Sequence, residues 1–500
     1  MADMKEPPKF SNLISGCLTP PESGKYFQNV NPADTRDIIG LFPDSSYSDV
    51  NSAVSAAAAA FAQWNETPAT KRAESIFAAA ELLKKNQKAL AEVIVREMGK
   101  TLPEAMGDIQ SSIDVAQFSA GEGRRLYGQT TSSALHRRWA LTKRCPVGVC
   151  GLITAWNAPM AIVTWKLFPA LICGNTVVLK PSEDTPLTAH LLGGLLKEAG
   201  FPDGVVNIVY GSGPESGEAL VKHPEVKLVS FTGSSKVGMM ISAECGRQMK
   251  RCSLELGGKN GLIVMDDADL PAAAKAVAAG AFSTAGQRCA STSRVFVHKK
   301  VFAAFLDLLT QEAKAMKVGP GTDSSTKVCP IINKRQYLNI LNSIETAKKS
   351  GAECLLGGSA LSEGEFVKGY FIPPTIFTGV DINSSLAQEE IFGPVLAVFE
   401  VADFSEAIEK INNVRYGLTA SIFTKDINLA MLALDKLQAG CCYVNAPTFG
   451  SEPHMPFGGW KQSGNGTREP GTQAMDVFSE WKTIYLDYSG VTQNSQYRMK

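Results

Sequence analysis

From Val147 onward the chain alternates short apolar runs with amphipathic stretches, and this rhythm restricts the fold more than any other feature of its 500 residues. Val147–Trp156, Thr176–Leu179, Val205–Val209 and Leu228–Phe231 read as strands. Met160–Leu171, Leu187–Ala199 and a stretch from about Ser235 read as helices. Strands and helices alternating at this spacing form βαβ units, which join strands in parallel. A second α/β stretch starts near Gly257. It holds an apolar strand at Gly261–Met265, an alanine-rich helix from Pro271, and a strand at Arg294–His298 that leads into another helix. Upstream, residues 49–98 read as two helices broken at Thr67-Pro68, and the run Ala56–Ala60 belongs to the first of them. Such a length exceeds one ordinary core, so two or more α/β domains are expected.

Composition removes several classes of partner. Lys plus Arg number 49 and Asp plus Glu number 49, so the formal net charge is zero. No basic stripe suggests nucleic acid, and no basic tail suggests an anionic membrane surface. No apolar stretch approaches the length of a membrane span. Met1–Pro20 carries charges and prolines and lacks the apolar core of a secretory leader. The eleven cysteines are odd in number and irregularly spaced, without a Cys-x-x-Cys pair. That pattern argues against a disulfide framework or a metal site and fits a reducing, cytoplasmic setting.

Six short motifs follow one another in the sequence. They are Thr154-Ala155-Trp156-Asn157-Ala158-Pro159, Lys180-Pro181-Ser182-Glu183, Phe231-Thr232-Gly233-Ser234, Leu254-Glu255-Leu256-Gly257-Gly258-Lys259, Gly286-Gln287-Arg288-Cys289 and Glu389-Glu390-Ile391-Phe392-Gly393-Pro394. Pro456-Phe457-Gly458-Gly459-Trp460-Lys461 comes after them. The series resembles the aldehyde dehydrogenase superfamily over about Gly24 to about Gly490, and its semialdehyde dehydrogenase branches for 2-oxoglutarate semialdehyde and aminoadipate semialdehyde above all. The resemblance implies an aldehyde dehydrogenase-like α/β fold in three parts: a parallel-sheet cofactor domain (1–124 and 147–256), an α/β catalytic domain (257–465) and a small β oligomerisation domain (125–146 and 466–500). It also implies a homodimer or homotetramer. Glu480 is then expected to pair with Arg251 or Arg468, one contact crossing between subunits.

In this reading Cys289 is the nucleophile that attacks an aldehyde carbonyl. Asn157 donates to the developing oxyanion, although an Asn before Ala-Pro also shapes a turn. Glu255 is the general base that hydrolyses the resulting thioester. Lys166 matches a lysine near the family's proton path, or else is a structural lysine with a buried stem. The expected cofactor residues are Ile153, Trp156, Lys180, Ser182, Glu183, Gly233, Ser234, Glu390 and Phe392. Ser234 meets the pyrophosphate at a helix N-terminus, and Glu183 accepts from the adenosine ribose, which favours NAD over NADP while leaving NADP possible. Gly211-Ser212-Gly213-Pro214-Glu215-Ser216-Gly217 follows a strand but lacks the spacing of a dinucleotide fingerprint. The expected substrate residues are Arg288, Thr448 and Phe449, with Arg288 either gripping a substrate carboxylate or held in a structural ion pair. The expected activity is oxidation of a carboxylate-bearing semialdehyde to the acid. A broad detoxifying aldehyde dehydrogenase, a CoA-acylating enzyme and a non-catalytic protein on the same fold stand as alternatives, and the presence of Cys289, Glu255 and Asn157 counts against the last two.

Overall fold

The computed structural model describes residues 6–492. Five parallel strands form the heart of the first sheet: β1 (Val149–Ile153), β2 (Thr176–Lys180), β3 (Val206–Ile208), β4 (Val226–Thr232) and β5 (Arg251–Glu255). Their spatial order is β5-β4-β1-β2-β3, and two short antiparallel strands at Asn12–Ile14 and Cys17–Thr19 extend the sheet beyond β3. Every residue of β1 and β2 is buried, which demands helices on both faces of a parallel sheet. Strand order reverses between β1 and β4. In open α/β sheets the crevice beyond the carboxyl ends at such a reversal is the place for a ligand.

The second sheet also has seven strands: β6 (Asn260–Val264), β7 (Thr292–His298), β8 (Glu353–Leu356), β9 (Thr375–Thr378), β10 (Val395–Val401), β11 (Thr419–Phe423) and β12 (Cys441–Val444). Its order is β8-β9-β10-β7-β6-β11-β12, parallel except for β8. A third, antiparallel sheet pairs Ser479–Asp487 with Arg138–Pro146 and that strand with Thr130–Ser132. Three helices matter for the site: α1 (Leu102–Glu122), α2 (Ala161–Ile172) and α3 (Ser235–Arg247).

Two expectations need correction. Residues 49–98 hold three helices, at Tyr47–Glu66, Ala69–Lys85 and Gln87–Met98. The second break falls at Asn86, whose side-chain amide donates to Leu82 O at 2.8 Å and so ends one helix where the next begins. The strand expected over Val147–Trp156 is shorter, because the N–H groups of Val147 and Gly148 donate to Asn175 Oδ1 at 2.7 and 3.0 Å instead of entering the sheet ladder. Residues 493–500 of the expected oligomerisation segment and 1–5 of the expected cofactor domain lie outside the described residues. All eleven cysteines are free thiols. Among the described residues no helix is long and apolar enough to cross a membrane.

Candidate active site

The carboxyl ends of β1, β4 and β5 face the loops that precede β7 and β10 across a cleft of about 270 Å³. Trp156, Asn157, Gly233, Ser234, Cys289, Glu390 and Phe392 line it.

Each residue of Gly286-Gln287-Arg288-Cys289 has a distinct local task. Thr284 and Ala285 take left-handed φ values of 52° and 53°, and Gly286 follows at 68°. A Cβ on Gly286 would lie 2.2 Å from Gly393 O, so only glycine fits this crossing. Gln287 is fully buried. Its amide donates to Thr284 O (3.1 Å) and Pro330 O (3.0 Å), and its Oε1 accepts from Ile332 N (3.0 Å). On the other side of Cys289, Asn260 Nδ2 donates to Cys289 O at 2.7 Å and Ser291 O at 2.8 Å. A Cβ on Gly258 would meet Cys289 O at 2.6 Å. Backbone and side chains therefore fix the loop from both sides and leave the half-buried Cys289 at the cleft wall.

Glu255 ends β5 and is 6 % exposed, yet neither carboxylate oxygen has a hydrogen-bond partner among the described residues. A buried, unpartnered carboxyl is costly and calls for a functional explanation. Burial first, then the neighbouring Glu469, pushes its proton affinity well above the ordinary carboxylic range, opposed by Lys166 and Arg468. Beneath it runs a closed polar chain. Lys166, on α2 and wholly buried, pairs with Glu469 Oε2 at 2.6 Å and donates to Ser230 Oγ at 2.8 Å. Ser230 and Ser253 donate to Glu469 Oε1 at 2.7 and 3.0 Å.

The thiol is set against ionisation. Burial, followed by Glu390 and Glu255, raises Cys289 to about 12, while its own N–H and that of Ala290 pull the other way. Glu390 is itself raised to about 7 by burial, opposed by the Gly258 N–H at 2.9 Å and by Lys259. Lys259 is lowered to about 7, by burial and then by Arg294. Neutral forms of the two carboxyls remove the smaller, electrostatic part of this penalty and leave burial, its main cause.

This geometry coincides with what comparison finds. The aldehyde dehydrogenase family model matches residues 18–484. The chain belongs to the aldehyde dehydrogenase family. It is 40% identical over 486 residues to alpha-ketoglutaric semialdehyde dehydrogenase of Bacillus subtilis, covering 97% of this chain and 100% of the relative. It is 41% identical over 470 residues to human retinaldehyde dehydrogenase 3, covering 93% and 90%. A crystal structure of betaine aldehyde dehydrogenase from Staphylococcus aureus in complex with NAD+ superposes with a TM-score of 0.94 at 32% identity, over 96% of this chain and 97% of that one. The fold is therefore that of the aldehyde dehydrogenases. A keto-acid semialdehyde enzyme and a retinaldehyde enzyme stand at nearly equal identity, so substrate class must be argued from side chains.

The remaining expected residues divide by position. Trp156 and Phe392 meet edge to face at 5.3 Å. Ser234 is the N-cap of α3, its hydroxyl accepting from Val237 N at 3.4 Å. Lys180 is buried, donates to Pro181 O at 2.8 Å and lies 3.6 Å from the half-exposed Glu183. Ser182 is buried and accepts from Asp184 N at 3.3 Å. Ile153 turns its side chain into the apolar core, so only its backbone at the end of β1 is near the cleft. Gly217, from the glycine-rich run set aside earlier, packs against the Lys180 stem, where a Cβ would be 3.6 Å away.

Thr448 requires correction as a substrate residue. It is fully buried, its hydroxyl donates to Ala290 O at 2.7 Å and it shares a 2.8 Å bond with Thr292, so it anchors the loop after Cys289. Arg468 donates within the chain to Thr467 O (2.8 Å) and Gly459 O (3.3 Å). Arg251 does reach Glu480, at 3.9 Å between exposed side chains, a contact worth little by itself. Sequence reading missed Glu469, Asn260 and Gln336, the last lining the cleft and donating to Ile391 O (2.8 Å) and Phe392 O (3.1 Å). Glu469 sits in Thr467-Arg468-Glu469-Pro470-Gly471, which reads as an ordinary turn; its meaning comes from Lys166, 303 positions away. The Asn beside Gly258-Lys259 was the one local signal available for Asn260.

Proposed function

We propose that this chain oxidises a small aldehyde bearing a distal carboxylate to the corresponding diacid, with NAD as the electron acceptor. The observation that carries the reaction type is Glu255: a buried carboxyl with both oxygens unpartnered among the described residues, directly before the cleft-lining Leu256 and close enough to Cys289 to act on its ionisation. The residues present fit a dinucleotide. The α3 N-terminus and Ser234 suit the pyrophosphate, Glu183 beside Lys180 suits a ribose diol, and Glu390 borders the nicotinamide end of the cleft. When bound, NAD accepts the hydride that leaves the substrate carbon.

Cys289 forms the thiohemiacetal, with Asn157 and the Cys289 N–H as donors to the oxyanion. The Asn157 side-chain amide makes no hydrogen bond to other described residues and is free for that use. Loss of hydride leaves a thioester on Cys289. Glu255 then takes a proton from water as it attacks, its proton affinity raised by burial and the neighbouring Glu469 and lowered by Lys166. The hydrolytic base distinguishes this reading from transfer of the acyl group to CoA.

Arg288 supports the substrate class. Its guanidinium lies over the Phe449 ring at 4.8 Å, and one nitrogen is 3.3 Å from Glu104 Oε1. Nε and Nη1 make no hydrogen bond to described residues. The group is thus held in place with donors to spare, as a bidentate carboxylate anchor needs. The test compares kcat/KM with NAD for two aldehydes of equal chain length, one ending in a carboxylate and one in methyl. A preference of tenfold or more for the acid, abolished in Arg288→Met, is expected. Equal constants would make Arg288 a structural partner of Glu104 and the enzyme a broad detoxifying one.

The domain division at residues 124–125, 146–147, 256–257 and 465–466 and a cytoplasmic site of action belong to the same proposal. So does assembly through the third sheet, which exposes Trp139, Trp481, Tyr485 and Leu486. Exposed apolar side chains on both faces of an edge-bearing sheet are poorly suited to water and well suited to a second copy of the chain.

A further inference from the structure

Glu104 and Asp108 stand one turn apart near the start of α1, and each bonds to a different segment beside the cleft. Glu104 Oε1 accepts from Thr284 N at 2.7 Å, Thr284 Oγ1 at 2.9 Å and Arg288 Nη2 at 3.3 Å. Its Oε2 accepts from Thr101 N at 3.1 Å and Thr101 Oγ1 at 2.8 Å, so the same side chain completes the capping box of α1. Asp108 Oδ1 accepts from Ala161 N at 2.7 Å, and Oδ2 pairs with Lys100 at 3.0 Å, both partners being buried. Ala161 opens α2, so Asp108 takes up one of the N–H groups that a helix leaves unsatisfied at its start.

Both segments have shapes that need holding. Thr284 begins the left-handed turn that carries Cys289. A β-branched residue at a φ of 52° persists only where its surroundings fix it, and here its N–H and its hydroxyl both end on Glu104. Ala161 follows closely on Asn157, and Ile162 N donates to Ala158 O at 2.9 Å, which ties the Asn157 loop to the first turn of α2. The two segments belong to different sheets: Thr284 precedes β7 of the second, and Ala161 follows β1 of the first. The residues just ahead of α1 pack tightly on the side of the second sheet. A Cβ on Gly321 would lie 1.9 Å from Lys100 O, and one on Gly99 would lie 2.6 Å from Pro330 Cγ.

We propose that Glu104 and Asp108 are positioning residues, one turn of α1 setting the separation between Cys289 and Asn157 by holding the segment that carries each. Carboxylates at i and i+4 are fixed relative to one another by the helix between them, about 6 Å apart along its axis. Neither touches the reacting atoms. The Asp108 half rests on the role given above to Asn157; the hold of Glu104 on the Cys289 loop does not, because it can be read without an aldehyde.

The experiment follows alkylation of Cys289 by iodoacetamide in the full chain, located by peptide mass, beside kcat, aldehyde KM and NAD affinity. Glu104→Ala should change the alkylation rate by about tenfold or more and lower kcat, with NAD affinity unchanged. Glu104→Gln, whose amide oxygen still accepts from Thr284, should bring both back to within about twofold of the wild type. Thr101→Ala breaks the cap of α1 while sparing the loop, and should alkylate as the wild type does. Thr284→Val removes a single bond and should give a smaller change in the same sense as Glu104→Ala. Replacing the buried pair together, Lys100→Met with Asp108→Leu, avoids stranding one buried charge; it should lower kcat by about tenfold or more while KM and the alkylation rate stay constant. Wild-type alkylation in both Glu104→Ala and Thr284→Val overturns the hold on the Cys289 loop. An equal effect in Thr101→Ala overturns it too, by tracing the change to the stability of α1. Unchanged kcat in the double variant overturns the hold on the Asn157 loop. An Asn157→Ala chain with wild-type kcat removes the role given to Asn157 and the Asp108 half with it, whereas the Glu104 half is decided by alkylation alone.

Discussion

Glu255 carries two opposing demands. Removing its charge would relieve a buried carboxyl, while in the proposed reaction removing its basicity would stop hydrolysis. Glu255→Gln is expected to lower steady-state kcat by about 10²–10⁴-fold while retaining a burst of NADH, because hydride leaves before water is needed. Rapid-quench or stopped-flow absorbance decides this; loss of the burst would move Glu255 into the first half-reaction. The pH dependence follows from its raised proton affinity. In the folded state the carboxyl keeps its proton above the ordinary value of 4.5, whereas in the unfolded chain it does not. Stability contributed by this group is therefore present at low pH and declines as pH rises from 4.5 through the folded-state value. Glu255→Gln should flatten that decline, so the difference in Tm between variant and wild type should be larger at pH 8 than at pH 5. At this scale the sequence was informative where chemistry needs a rare residue in a fixed local frame, as at Cys289 and Glu255. It was silent at Glu469, whose role exists only through contacts with residues on other strands and helices.

Elements explain why the frame is fixed. Residues 283–289 turn through three successive left-handed positions and pass Gly393 at backbone contact. Gly286→Ala combines a strained φ with a Cβ that has no room. The variant should fold, since both sheets are intact, but alkylation of Cys289 by iodoacetamide and kcat should each change by at least tenfold. Equal alkylation rates would show that the loop tolerates the methyl group by local shift. The alternation of strands and helices from Val147 to His298 was readable because buried parallel strands are apolar throughout and their helices are amphipathic. The break at Asn86 was not, because a single Asn inside a helical pattern looks the same whether it faces solvent or takes over a carbonyl. The same limit applies to Thr448. Its position in the chain matched a pocket wall, but its hydroxyl is already engaged by Ala290 and Thr292.

For the whole molecule, the nine-residue pairing of Ser479–Asp487 with Arg138–Pro146 leaves a large apolar surface in water. Leu486→Lys should shift sedimentation velocity from an assembly of several chains to a single chain, because it puts a charge on a residue exposed in the single chain. A wild-type chain that already sediments alone would end that expectation. The order in which the interior is completed has a consequence of its own. Lys166 is made early and must wait for 303 further residues before its carboxylate partner exists. A growing chain at the ribosome can lay down β1 to β5 and even the loop bearing Cys289, yet it holds an uncompensated ammonium on a helix packed against its first sheet. Leaving a buried charge unpaired costs about 3–5 kcal/mol, a sum comparable to much of a domain's net stability. Translation therefore delivers the nucleophile well before it delivers the residue that lets the surrounding interior close, and a nascent chain stays unfinished, in both structure and chemistry, until its final segment arrives.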